Sequence, residues 1–90
     1  MLKRTLVFSS PVNLTLRNCQ LVMTYKESPE DCQTIPIEDI AVVMIENQMA
    51  NASIPLLNAL TDANVSVIIC DNKGMPNSML LNLDSHNLQG

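Results

Sequence analysis

The run IAVVMI at residues 40–45 decides how this 90-residue chain folds. Six apolar residues in succession are typical of a strand that is covered on both faces. A second run rich in Val and Ile lies at residues 65–70. Between the two runs, Ser53 is a suitable helix N-cap with Pro55 in the first turn, and Asn64 is a suitable left-handed stop. The sequence therefore predicts a strand, a helix and a strand, in an order compatible with a right-handed crossover.

Upstream of this unit, three segments have the composition of β-strands. Residues 2–8 are interpreted as a strand with two rather apolar faces, and residues 12–17 and 20–25 are rich in β-forming side chains. Asn18-Cys19 separates the last two segments, and Asn tolerates the positive φ that a tight hairpin demands. We therefore predict a three-stranded antiparallel meander in the first 25 residues, followed by a polar loop at residues 26–33.

The remaining segments are shorter. Residues 34–37 are predicted to be an edge strand or a strand entry, because Pro36 cannot donate to a ladder, and Glu38-Asp39 ends this piece. Residues 71–74 are a predicted turn, and residues 79–83 a last apolar strand. Together these features predict an α+β, mostly β fold. It is a small β-sandwich-like domain with an antiparallel meander, a second group of strands and one short helix.

The length of the chain suits a single domain. Its 47% hydrophobic content supports a packed core and argues against disorder. Asp84-Ser85 resembles the N-cap of a helix, yet few residues follow it, so we expect the chain to stop at a domain boundary. On this interpretation residues 1–83 are a β-rich domain and residues 84–90 begin a linker or helix.

Composition argues against several classes of protein. Aromatic residues make up 2% of the chain, so a stacking platform for single-stranded nucleic acid is not expected. Apolar runs are far shorter than the roughly 20 residues that span a bilayer, and residues 1–4 lead straight into a strand, without a signal-peptide core. We therefore expect no membrane association and a cytoplasmic location. Cys19, Cys32 and Cys70 have no CxxC spacing, so we expect reduced cysteines, with Cys70 in the core.

The formal net charge of −4 is unevenly distributed. Residues 27–90 contain all nine acidic residues and one cation, whereas residues 1–26 contain cations alone. The basic end is therefore the part of the chain that can meet phosphates. Its candidates for DNA contact are Arg4, Arg17 and Lys26.

Little in the sequence points to catalysis. His86 is the only histidine, and Gly74 is the only internal glycine, which excludes phosphate-cradling glycine loops. Four carboxylates near predicted strand ends could meet around a hard cation, but Glu38-Asp39 is also what an exposed turn looks like. The four are Glu38, Asp39, Glu46 and Asp71. We predict no catalytic, metal-binding or cofactor-binding residue in this chain.

Several blocks of sequence, in their order and spacing, resemble one family. They are KRTLVFSSP at residues 3–11, LTLRN at 14–18, IPIEDI at 35–40, Leu57-x-x-Leu60, and VIICD at 67–71. This pattern closely resembles the N-terminal β-rich domain of the CRISPR-associated endonuclease Cas1 family, especially its type II-C branch. The resemblance covers essentially the whole chain, and IPIEDI is its most specific block.

The resemblance implies a fold and a function. Members of the family are DNA endonucleases and integrases, dependent on magnesium or manganese, that insert short foreign DNA into a CRISPR array. They act as two dimers bridged by a dimer of the partner protein Cas2. The N-terminal domain provides the dimer contact, and a larger helical domain holds the metal site. None of those metal ligands maps onto this chain, and His86 precedes the region where the catalytic histidine is expected.

The sequence thus predicts the structural and dimerising N-terminal domain of a DNA integrase, inactive alone because the catalytic domain is missing. Two alternatives remain open. One is a small nuclease that uses its own carboxylates, and the other is a free-standing protein- or ligand-binding module. The candidates for the dimer contact are apolar residues of predicted edge or two-faced strands. They are Leu2, Val7, Ile35 and Ile37.

Overall fold

The computed structural model describes residues 3–82. The described part contains eight strands, one α-helix and one short 3-10 helix. The strands are β1 (Arg4–Phe8), β2 (Val12–Arg17), β3 (Gln20–Tyr25), β4 (Ser28–Pro36), β5 (Ile40–Ile45), β6 (Asn51–Ala52), β7 (Ser66–Cys70) and β8 (Pro76–Leu80). The helix α1 spans Ile54–Asp62, and the 3-10 helix spans Ile37–Asp39. No helix among these residues is long and apolar enough to cross a membrane.

The strands form two four-stranded sheets. The first sheet has the order β1-β5-β7-β8, in which β1, β5 and β7 are parallel and β8 is antiparallel to β7. The second sheet has the order β4-β3-β2-β6, with antiparallel pairs between β2, β3 and β4. The parallel pairing of β5 and β7 across α1 confirms the predicted strand–helix–strand unit.

One core fills the space between the two sheets and the helix. Its buried residues come from both sheets and from α1, so the two sheets face each other across it. The largest fully buried side chains are Leu14, Leu21, Ile40, Leu56, Leu60, Val12, Val43 and Val67. This arrangement confirms the α+β, sandwich-like fold that the sequence predicts.

The predicted meander is wrong in one strand. β1 does not pair with β2 but lies parallel to β5, with Leu6 beside Val43 and Phe8 beside Ile45. Phe8 is 3% exposed, so this non-local pairing buries an aromatic side chain that a local meander leaves at an edge. The antiparallel meander of the protein is therefore β2-β3-β4.

The predicted polar loop at residues 26–33 is also wrong, since most of it belongs to β4. β4 lies at the edge of the second sheet, and seven of its nine residues are exposed. An edge strand with one paired side needs no apolar pattern, and Pro and charged residues are common there because they discourage further pairing. The last strand likewise begins earlier than predicted, at Pro76; Leu83 lies outside the described residues, as do Leu2, His86 and the Asp84-Ser85 cap.

The local signals at turns and caps are confirmed. Asn18 and Cys19 adopt φ values of 51° and 60° in the β2–β3 hairpin, and Asn64 adopts 61° after α1. The hydroxyl of Ser53 accepts a hydrogen bond from the Leu56 amide at 3.3 Å, which caps α1. Glu38-Asp39 lies in the 3-10 helix that follows β4, as its predicted strand-breaking role requires.

Cys70 is the last residue of β7 and is 2% exposed, as predicted for a core position. Burial raises the pKa of its thiol, and the nearby charges of Glu46 and Asp71 raise it further. Both effects oppose the thiolate, which is the reactive form of cysteine. Cys19 and Cys32, by contrast, are exposed, and none of the three forms a disulfide.

The hairpin turn gives a first testable prediction. A β-carbon in the left-handed region costs roughly 1–2 kcal/mol, which glycine avoids. Cys19, at φ 60°, bears that cost. We expect Cys19→Gly to raise the free energy of unfolding by about 1 kcal/mol, measured by urea denaturation. As a matched control, Cys32→Gly lies in β4 and is expected to give no gain. Equal effects of the two substitutions would contradict the turn assignment.

The cysteines give a second prediction. A thiol-reactive disulfide reagent at a pH of about 8, near the ordinary thiol pKa, is expected to modify Cys19 and Cys32 rapidly and Cys70 only after unfolding.

The raised pKa of Cys70 also makes stability depend on pH, because the folded state holds the Cys70 proton more tightly than the unfolded chain does. This contribution to stability is therefore complete below the unfolded pKa of about 8.5 and is lost as pH rises through the higher folded pKa. Cys70→Ala is expected to change the dependence of stability on pH above about 8.5, and an unchanged dependence would refute this assignment.

Candidate functional site

The four carboxylates that the sequence singled out do not come together. Glu38 and Asp39 precede β5, whereas Glu46 follows its other end, beyond six strand residues. Asp71 is engaged in its own turn, where one carboxylate oxygen accepts the amides of Lys73 at 2.9 Å and Met75 at 3.0 Å. Among residues 3–82 there is no group of three or more His, Cys, Asp or Glu side chains that could hold a metal ion.

A crevice of about 270 Å³ opens at the carboxyl ends of β5 and β7. Its walls are mostly apolar, and the Gln48 amide nitrogen closes one side by donating to the Cys70 carbonyl at 2.9 Å. The Gln48 side chain is exposed. The Asn47 side-chain amide donates a hydrogen bond to the Ser9 carbonyl at 3.2 Å, and its oxygen accepts one from the Met49 backbone amide at 2.8 Å. The crevice is lined by Ile45, Asn47, Gln48, Ala50, Ala52, Leu57, Ile69 and Cys70. The crevice therefore provides an apolar cavity with a few side-chain amide groups, but its lining contains no acid–base pair.

The three predicted DNA-contact cations fall into two groups. Arg4 is in register with Ile40, which follows the 3-10 helix, and Arg17 pairs with Gln20 at the tip of the β2–β3 hairpin. The Cys19 carbonyl in that hairpin accepts a hydrogen bond from the Ile37 amide at 3.2 Å, so the tip and the 3-10 helix lie together. Arg4 and Arg17 are thus both exposed at the same end of the molecule.

Lys26 lies at the opposite end. Its amide donates to the Pro11 carbonyl, just before β2 begins. The length of β2 therefore separates it from Arg17, a distance of about 17 Å for five steps of antiparallel strand. The structure places two of the three cations at one end of the fold and the third at the other end. Whether any of them contacts DNA stays a prediction.

The predicted dimer-contact residues fall into a buried group and an exposed group. Ile37 is 7% exposed and belongs to the core, and Ile35 packs against that core from β4. The Ile37 side chain thus already has packing partners within one chain, and whether any of the four candidates contacts a second copy stays a prediction. Val7, in contrast, is 51% exposed on the outward side of β1. Leu2 lies outside the described residues.

Val7 belongs to an exposed apolar row that sequence reasoning missed. Strand register places Val7 beside Met44, Met44 beside Ile68, and Ile68 beside Met79. The row crosses all four strands of the first sheet on the face turned away from the core. The sequence contained a signal for it, the alternate positions of β5 and β7, but uninterrupted apolar runs were interpreted as strands covered on both faces.

No protein-family profile matches the chain. Over 73 residues it is 33% identical to a curated relative, the CRISPR-associated endonuclease Cas1 of Neisseria meningitidis serogroup C (strain 8013). That similarity covers 81% of this chain and 23% of the relative. The chain therefore matches less than a quarter of the length of that protein.

Solved structures share the fold. Cas1 from Thermotoga maritima superposes with a TM-score of 0.72 at 10% identity, over 87% of this chain and 24% of that one. A partial Cas6-RT-Cas1–Cas2 complex gives 0.76 at 17% identity, over 88% and 23%. A casposase bound to an integration product gives 0.65 at 20% identity, over 90% and 24%. In sequence and in fold, this chain matches the N-terminal part of the CRISPR-associated endonuclease Cas1.

Proposed function

We propose that this chain is the N-terminal structural domain of a DNA endonuclease and integrase of CRISPR adaptation. In that role it supports spacer acquisition, and hence antiviral defence, in the cytoplasm. The observation that carries the proposal is the 33% identity over 81% of the chain to a Cas1 endonuclease, joined to the shared two-sheet fold. Catalysis belongs to a part of the protein outside these 90 residues.

The chemistry of the described residues supports a scaffold role. The magnesium or manganese ion that the family resemblance implies needs several converging oxygen or nitrogen ligands. Residues 3–82 provide no such group, and the side chain of Asp71 already accepts two backbone amides. The described residues therefore do not fit the metal, and no catalytic step is assigned to them.

The same proposal includes partners. Similar chains occur in solved Cas6-RT-Cas1–Cas2 complexes and in a Cas1–DNA complex. We therefore assign this chain a second copy of itself, Cas2 and DNA as partners within the whole protein. The exposed pair Arg4 and Arg17, which lie at one end of the fold, supports a sequence-independent phosphate contact there.

A chimera tests the proposal. The N-terminal region of the Neisseria meningitidis Cas1 is replaced by residues 3–82 of this chain, and the integration of short duplex DNA into a CRISPR array is measured. We expect integration to persist, because a scaffold of the same fold presents the catalytic region in the same place. The matched control carries Val43→Asp in the fully buried centre of β5 and is expected to lose integration. Loss of integration by a chimera that is folded and thermally stable would contradict the proposal.

The cations give a separate prediction in the same chimera. Replacing Arg4 and Arg17 together by Ala is expected to weaken duplex binding for all sequences alike. The slope of log affinity against log salt is expected to flatten by about 0.9 for each phosphate that the variant no longer neutralises. Lys73→Ala, in the turn between β7 and β8, is the matched control and is expected to leave the slope unchanged. An unchanged slope in the double variant would assign both arginines to the solvated surface.

The isolated 90-residue chain is expected to lack nuclease activity. Metal activation of water needs several ligands at one point, and the carboxylates that flank β5 lie at its two ends. Purified protein is incubated with single-stranded and duplex DNA and with magnesium or manganese. Cleavage that disappears in Glu46→Gln or Asp71→Asn, but not in Glu30→Gln on the edge strand β4, would contradict this prediction and favour the nuclease alternative.

A further inference from the structure

The hydrophobic core opens to solvent at the carboxyl ends of β5 and β7. Ile45 and Ile69 lie in register at that end of the first sheet, and both line the crevice described above. Ala52 of β6 and Leu57 of α1 contribute to the rest of its apolar lining. Ile69 is 38% exposed, although its strand partner Ile45 packs against the core. The crevice is therefore a gap in the packing between the first sheet and the layer that β6 and α1 form.

The crevice has room for one large apolar side chain. Its volume is about 270 Å³, and a cavity of about 150 Å³ with aliphatic and aromatic walls already holds a benzene molecule. Met49, between two lining residues, and Ile54, at the start of α1, are exposed and continue the apolar surface outward. Exposed apolar surface around a concave site marks an interaction site on a soluble protein.

A second cavity, of about 220 Å³, opens at the β3–β4 hairpin. We call it the acidic cavity, because its lining includes the exposed carboxylates of Glu27 and Asp31. Tyr25 also lines it, and the Tyr25 hydroxyl donates to the sulfur of the core residue Met23 at 3.9 Å. The ring thus lies on the core face of the second sheet. Carboxylates beside an aromatic ring favour a cationic group.

Two hydrogen bonds show that the two cavities share one rim of the fold. The Asn47 side chain, in the crevice, donates to the Ser9 carbonyl at 3.2 Å, next to Ser10, which lines the acidic cavity. The Asn51 side chain donates to the Asn13 side chain at 3.2 Å, where β6 pairs with β2. Because the strand order is β4-β3-β2-β6, two to three strand spacings of about 4.8 Å separate the cavities, or roughly 10–14 Å.

The charges at this end of the molecule favour a basic occupant. Glu46 directly follows Ile45, and Asp71 directly follows Cys70, so both carboxylates lie beside residues that line the crevice. Carboxylates outnumber lysines by five to two at this end, whereas the two exposed arginines lie at the opposite end. A basic segment is therefore attracted to this end in preference to the other. The seven charged residues are Glu27, Glu30, Asp31, Glu46, Asp71, Lys26 and Lys73.

We propose that the crevice and the acidic cavity together bind a basic amphipathic segment of a partner protein, an inference that goes beyond the proposed function. An apolar side chain of the segment fills the crevice, and an arginine or lysine about four residues away reaches Glu27 and Asp31. The spacing follows from the geometry, since an extended chain covers roughly 13 Å in four residues. Residues 83–90 of this chain contain one acidic residue and no lysine or arginine, so they do not supply the basic group.

An NMR titration of the isotope-labelled 90-residue chain tests the proposal. The probes are two capped peptides, GSLSSSRSG and GSRSSSLSG, which place leucine and arginine about four residues apart in the two chain directions. We expect one of them to shift the backbone amides of Ala52, Ile69 and Glu27 together and with saturation. Serine in place of the leucine is expected to weaken binding at least about tenfold, because the buried aliphatic group is lost. Glutamate in place of the arginine is expected to weaken it at least about threefold, because attraction becomes repulsion.

A variant of the chain tests the apolar contact. Ile69→Lys introduces a charge into the wall of the crevice and is expected to abolish the response to the probe. Leu81→Lys is the matched control, because Leu81 is also an exposed apolar residue but follows β8 near the start of β7, at the opposite end of the fold. This control is expected to bind the probe like the unmodified chain. The amide spectrum of each variant shows whether it is folded.

A second variant tests the charged contact. Glu27→Gln combined with Asp31→Asn is expected to remove the preference for the arginine probe over its glutamate counterpart. Glu38→Gln combined with Asp39→Asn removes two carboxylates at the opposite end and is expected to keep that preference. Because Glu27 and Asp31 are exposed, this comparison decides the matter even where Ile69→Lys does not fold.

Several results would overturn the proposal. One is the lack of saturable shifts with both probes, and another is a set of shifts confined to the end that carries Arg4 and Arg17. Equal binding of the probe that lacks leucine would reduce the contact to charge alone. Shifts of the crevice amides on dilution of the chain without a probe would identify a second copy as the occupant. None of these results affects the chimera experiment, which tests the proposed function separately.

Discussion

The structure depends on the position of β5 between β1 and β7. Val43, at the centre of β5, is fully buried and lies in register with Leu6 on one side and Val67 on the other. These three residues come from distant parts of the chain, so their packing joins β1, β5 and β7 into one sheet. Burying such aliphatic side chains contributes about 1.5–3 kcal/mol each, a large share of the net stability of a small domain.

This parallel arrangement explains why the second sheet lies on the core face of the first sheet. The connection from β1 to β5 must cross from one end of the first sheet to the other, and it does so through the whole β2-β3-β4 meander. The meander therefore takes the place of a crossover helix and covers the core face. The next connection, from β5 to β7, uses β6 and α1 on the same side. Both connections cover one face, and the other face is left to the apolar row.

The distribution of charge follows from the same topology. Arg4 of β1 and Arg17 of β2 lie at the same end of the fold as the 3-10 helix, because β1 starts beside the start of β5 and the β2–β3 hairpin points to that end. The acidic residues of β4 occupy a free sheet edge. The division into a basic and an acidic half that the sequence shows is not kept in the fold, because the end that carries Arg4 and Arg17 also carries Glu38 and Asp39 of the 3-10 helix.

Residue types were enough to predict the local elements. Asn18-Cys19, Ser53 and Asn64 act through their own backbone angles and hydrogen bonds, so the turn, the cap and the helix stop were readable without knowledge of distant contacts. The pairing of β1 with β5 was not readable in this way, since pairing partners depend on which distant surfaces are buried together. The same holds for β4, because an exposed edge strand needs no apolar pattern. It holds also for the burial of Ile37 and the exposure of Val7, because the face on which a residue lies depends on register.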